Sequence, residues 1–148
     1  MLRSAGRFAL LASLAAVAGC APQASPPPPY CPLGTGSVTA VYTLYFGKGI
    51  AGRGDLTQDE WQRFVDSTVV AELPDGFTAW DASGAWLDPA THTTGQEQSK
   101  VLVTALAPGD AGLAAVNRVR AAYRTQFRQR SVGMTVAPSC GDFSANNP

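Results

Sequence analysis

Along the chain, apolar and polar positions alternate in two different rhythms. Ser37 to Phe46 is rich in Val, Thr and Tyr, which predicts a strand. Gly47 to Asp55 carries four glycines and reads as a loop. Thr57-Gln58-Asp59-Glu60 has the form of a capping box, in which Thr caps the first turn and Glu reaches back. From there Trp61, Phe64, Val65, Thr68 and Val69 recur at helical spacing up to Leu73. Pro74-Asp75-Gly76 stops that helix. Phe77 to Ala82 predicts a second strand, with Ala85 to Asp88 continuing it after a kink at Ser83-Gly84, and Pro89 to Ser99 reads as a polar loop. Lys100 to Leu106 is the clearest strand, broken by Pro108-Gly109-Asp110. Leu113, Val116, Val119, Tyr123 and Phe127 mark one face of a second helix running to about Arg130. Val132, Met134 and Val136 alternate in a fourth strand that ends before Pro138.

The predicted order is β-α-β-β-α-β. This is an α+β fold of the ferredoxin-like, split-βαβ type, with an antiparallel sheet in the order 4-1-3-2 and two helices on one face. Alternation then assigns side chains to faces. Tyr42, Leu44 and Phe46 take the core, with Phe77 and Ala79. Thr43, Tyr45, Thr78 and Trp80 face outward and form a candidate binding face. Exposed aromatic patches of this kind serve as interaction surfaces. The alternative is that the tail through Phe143, or the loop bearing Trp86, folds over them.

The N-terminus carries an address. Arg3 and Arg7 precede the apolar run Phe8 to Val17, and the small residues Ala18 and Gly19 lead into Cys20. This is the layout of a secretory signal. Val17-Ala18-Gly19-Cys20 resembles the bacterial lipobox, which implies a signal peptide over 1–19, cleavage before Cys20 and fatty acylation (palmitate) of that cysteine. The expected location is the cell envelope, with the membrane as partner through Cys20. Ala21 rather than Asp follows the cysteine, which favours the periplasmic face of the outer membrane over the inner membrane. Residues 20–30, with Pro26 to Pro29, read as a stiff tether, and 31–148 as a single domain. Of three cysteines, Cys31 and Cys140 remain. In an oxidising compartment these form a disulfide. The predicted fold brings the end of strand 4 to the start of strand 1, where the two thiols lie. Two cysteines and one histidine make a poor metal set.

Composition narrows the function. The 148 residues carry eleven basic and eleven acidic side chains. Such a balance gives no nucleic acid a reason to bind. Gly47-Lys48-Gly49-Ile50-Ala51-Gly52 spells G-x-G-x-x-G, but the capped helix begins several residues too late for a dinucleotide fingerprint, and no cofactor is expected. The loop still offers Arg53 to a small anion. Arg120, Arg124 and Arg128, at i, i+4 and i+8, form a second candidate anion stripe; pairing with Asp59, Glu60, Asp66 and Glu72 of the first helix is the plainer expectation. His92 is the sole histidine and has no triad partners beside it. Asp75, Asp81 and Asp88 read as turn residues.

Tyr42-Thr43-Leu44-Tyr45-Phe46-Gly47, Trp61 with Phe64, Pro74-Asp75-Gly76-Phe77-Thr78, Asp81 with Gly84 and Trp86, Ser99-Lys100-Val101-Leu102-Val103, Ala122-Tyr123-Arg124, Ser131-Val132, and Cys140 with Phe143 together resemble the bacterial lipoprotein domain-of-unknown-function family numbered 3574. That resemblance supports fold and location and brings no reaction with it. The expected function is a non-enzymatic binding or interaction module, with a homodimer or an envelope protein as partner. The alternative is a small enzyme of the dimeric α+β barrel type, or an acylphosphatase-like anion-binding domain.

Overall fold

The computed structural model describes residues 31–32 and 36–143; the signal-like segment, Cys20 and the proline run lie outside the described residues. The protein is α+β. Strand β1 (Ser37–Gly47) leads into a small hairpin, β2 (Gly49–Ile50) and β3 (Gly54–Asp55). A helical stretch follows as α1 (Gln58–Phe64), a π-helical turn (Val65–Val69) and α2 (Val70–Glu72). Then come β4 (Thr78–Leu87), β5 (Thr94–Leu106), α3 (Asp110–Phe127) and β6 (Gly133–Gly141). The four long strands make one antiparallel sheet in the order β4-β5-β1-β6. Inserting the hairpin between β1 and the first helix changes the element series from the six expected, and with it the numbering, against the 4-1-3-2 of a four-strand count.

The capping box forms as the sequence predicts. The Glu60 N–H donates to the Thr57 hydroxyl, and the Thr57 N–H donates to the Glu60 carboxylate. The widened turn lies where Val65, Thr68, Val69 and Val70 are β-branched, and the Val70 N–H donates to the Val65 carbonyl. Both helical stretches bury their apolar stripes on the same sheet face. Tyr42, Leu44, Phe46, Leu102 and Leu106 meet Trp61, Phe64, Val69, Val116, Val119, Tyr123 and Phe127 in one core. Aromatic rings meet edge-on there, with Phe46 5.4 Å from Trp61 and 4.8 Å from Tyr123. Among the described residues no helix is long and apolar enough to cross a membrane.

Three boundaries differ from expectation. β4 runs unbroken through Ser83-Gly84. β5 begins at Thr94, so most of the expected polar loop is strand. The connecting turn is organised by Asp88: its N–H donates to the Thr93 carbonyl, its own carbonyl accepts from the His92 N–H, and its carboxylate accepts from the Ala90 and Thr91 N–H groups. β6 passes through Pro138 to Gly141, which an edge strand permits because an outward position needs no ladder N–H. Cys31 and Cys140 are joined, with Cα atoms 5.5 Å apart, and Cys140 lies opposite Val38 at the start of β1.

Candidate functional site

The ladder register sorts the uncovered face into rows, since directly paired residues share a face. Trp80, Val101, Tyr45 and Gly133 form one row, and Thr78, Val103, Thr43 and Thr135 the next. Thr43, Tyr45, Thr78 and Trp80 therefore lie on the face away from the helices, as their alternation predicts. Tyr45 is 43% and Trp80 47% exposed. Thr43 is half-buried within its row. Phe143 stands against Gly141 and is 78% exposed, so the described tail does not cover the patch.

The same face ends in a cleft of about 690 Å³, lined by Tyr45, Gly47, Trp86, Glu97, Ser99, Arg128 and Arg130 among others. Its geometry depends on glycines. A Cβ on Gly95 would fall on the Trp86 ring, one on Gly133 would touch the Tyr45 ring, and one on Gly47 would fall on the Glu97 carboxylate. Each of these side chains occupies space that a Cβ on the nearby glycine would take. Glu97 is half-buried, and its side chain makes no hydrogen bond or ion pair among the described residues. From the core side the Tyr123 hydroxyl donates to the Gly47 carbonyl at 2.9 Å. Burial, with the Glu97 and Glu60 carboxylates adding to it, holds the Tyr123 phenol well above its ordinary range. It stays a neutral hydrogen-bond donor.

A second cluster lies on the helix side. Lys100, whose side chain is 5% exposed, donates to Asp81 at 2.8 Å and to Gln58 at 2.7 Å. It stands 5.8 Å from the centre of the Trp61 ring. Lys48 reaches the other Asp81 oxygen at 3.5 Å. Asp81 is thus a mid-strand ion-pair partner, a correction to its reading as a turn residue. The Lys100 ammonium bonded to it holds its carboxyl below the usual range. Asp88 does cap a turn, and hydrogen bonds from Ala90 and Thr91 hold it low. His92 sits exposed at that turn with φ 54°.

A family model described as "Protein of unknown function (DUF3574)" matches residues 41–143. The chain belongs to the DUF3574 family. No curated protein sequence matches it. Among solved structures, phage SAM lyase in complex with S-methyl-5'-thioadenosine is similar at 13% identity with a TM-score of 0.50, covering 72% of this chain and 92% of that one. Phage SAM lyase in its apo state is similar at 14% identity with a TM-score of 0.50, covering 79% and 99%. These likenesses are likenesses of fold. They correct the expectation of a non-enzymatic binding or interaction module: the frame is one that an enzyme uses.

Of the expected anion residues of this DUF3574 chain, Arg53 and Arg128 line one cleft, and Arg120 and Arg124 do not join them there. Arg53 is held by both carboxylate oxygens of Glu60, at 2.7 and 2.9 Å. That pair holds Glu60 down at about 2, with the Thr57 N–H adding to it. Arg120 donates to the Val132 carbonyl and to Asn117, fastening α3 to the start of β6. Arg118, not one of the stripe, makes the expected link to the first helix through Glu72 at 2.8 Å. Arg124 lies exposed on α3. Arg128 leaves the stripe altogether: α3 ends at Phe127, and Arg128 takes φ 54°, ψ 36°. Its side chain lines the Glu97 cleft and a neighbouring one. Sequence reasoning missed Glu97, Arg130, Arg63 and Lys100. Among the described residues no group of three or more His, Cys, Asp or Glu side chains could hold a metal.

Proposed function

We propose that this domain is a small enzyme whose reaction takes place in the cleft over Gly47, with Glu97 as its reactive carboxylate. One observation carries the reading: a half-buried carboxylate with no hydrogen bond or ion pair among the described residues, set in a cleft between two exposed aromatic rings. Buried charges are ordinarily paired, because desolvation without a partner is costly. A carboxylate left without one in a cleft is placed for a ligand. It suits a cationic centre by direct attraction, or a proton transfer, for which a positioned carboxylate contributes about 10²–10⁴-fold. Trp86 and Tyr45 offer faces to a flat ring, and Arg130 offers a guanidinium to a carboxylate at the other end of the ligand.

A sulfonium nucleoside combines these three features, and the likeness to phage SAM lyase makes it the first candidate. We further read the frame as ferredoxin-like, with β2–β3 as an insertion; the sheet order and the placing of both helices on one face support that reading. The test is to incubate the full chain with S-adenosylmethionine and follow release of S-methyl-5'-thioadenosine by chromatography. The expected result is turnover that Glu97→Gln lowers by about 10²-fold or more, with the fold retained by circular dichroism. Absence of turnover removes this substrate class. Turnover undiminished in Glu97→Gln removes the site.

A further inference from the structure

On the other side of Arg128 lies a second cleft, of about 550 Å³, between the β2–β3 hairpin, α1 and the end of α3. Its walls carry three arginines, Arg53, Arg63 and Arg128, and one acid, Glu60. Glu60 is committed to Arg53 through both oxygens. Arg63 and Arg128 make no side-chain hydrogen bond or ion pair among the described residues. The cleft therefore holds a surplus of two positive charges. Ile50 and Phe127, which are half-buried and buried, supply apolar wall beside them. Low-dielectric walls of this kind focus the field into the cleft.

We propose that this cleft binds the phosphate group of a small phosphorylated molecule, gripped by Arg63 and Arg128, with Gln126 as a further donor and the Arg53–Glu60 pair as its back wall. Guanidinium groups match phosphate oxygens two at a time. The volume falls within the roughly 300–1,000 Å³ of small-molecule sites and exceeds what one free ion fills. The site does not depend on Glu97 and stands or falls apart from it.

The conformation of Arg128 supplies a clean variant. A left-handed residue one position past a helix end is ordinarily glycine, which adopts it without steric cost. Arg128→Gly should therefore keep the fold while removing the guanidinium.

The experiment is calorimetric titration of the full chain with glycerol 3-phosphate and, separately, inorganic phosphate, at an ionic strength held constant with chloride. Saturable one-to-one binding is expected, tighter for the ester. Arg63→Gln, Arg128→Gln and Arg128→Gly should each weaken it at least tenfold, with Arg128→Gly melting no lower than wild type. Arg124→Gln, on the exposed side of α3, should bind as wild type does. Glu60→Gln should bind several-fold tighter, because it frees Arg53. Tighter binding of inorganic phosphate than of the ester would keep the site but assign it to the free ion. Heats indistinguishable from those of chloride, or wild-type affinity in the Arg63 and Arg128 variants, would overturn the proposal.

Discussion

Gly47 carries two duties on opposite faces of one strand. Its carbonyl accepts from the buried Tyr123 hydroxyl, and its missing side chain makes room for Glu97. Gly47→Ala separates these duties. The atoms nearest the new methyl group are those at the end of the flexible Glu97 side chain, so Glu97 swings away and the backbone stays. The expected cost in stability is about 1 kcal/mol or less, read by urea denaturation. Turnover, in contrast, should fall towards that of Glu97→Gln. A large stability loss with unchanged turnover would show that Glu97 packs and does not react. Glu97 itself was hidden in the sequence for a physical reason. Thr94 to Ser99 is polar or glycine at every position, because one face of this arm of the hairpin is exposed and the other only half-buried, so no apolar alternation marks it as strand. By the same logic the core positions Tyr42, Leu44, Phe46 and Leu102 were legible, since burial on one face is what alternation records.

At the scale of elements, the first helix was legible because its start is local chemistry. Thr57 and Glu60 cap it within four residues, whatever the rest of the chain does. The recruitment of Arg53 to that cap was not legible, because it needs the β2–β3 hairpin to fold back. The glycines at 52 and 54, with φ +85° and +93°, allow that turn, and a run of glycines by itself reads as a loop. For Arg128 the helical period misled: it places the residue above Arg124, but the helix ends one residue earlier. The cap has a pH signature. Glu60 is held at about 2 in the folded chain, below the value near 4.3 of a free glutamate. A depressed acid contributes stability that is fully present above its unfolded value and is lost as pH falls through the folded one. Glu60→Gln should therefore lower stability at pH 7 and flatten its decline between about pH 4.5 and pH 2, measured by thermal melts across that range. Parallel acid limbs in wild type and variant would show that the pair contributes nothing.

At the scale of the molecule, the two ends of the domain are tied beside each other. The Cys31–Cys140 bond spans a separation of 109 residues, and a loop of that size corresponds to about 4–5 kcal/mol in the chain-entropy model, an upper figure. The bond also decides how the protein carries a load. A pull applied between the segment before Cys31 and the segment after Cys140 runs through two sulfur atoms and bypasses the sheet and both helices. Oxidised molecules stretched between those points should extend without any unfolding step. After reduction, the same pull should open the domain and release on the order of 360–390 Å of chain, at about 3.3–3.6 Å per residue. Single-molecule force spectroscopy with and without reductant measures this directly, and an unfolding step of that length in the oxidised chain would mean the bond is not made. Whatever tension reaches this domain from its N-terminal side, the cleft over Gly47 is mechanically shielded from it for as long as the disulfide holds.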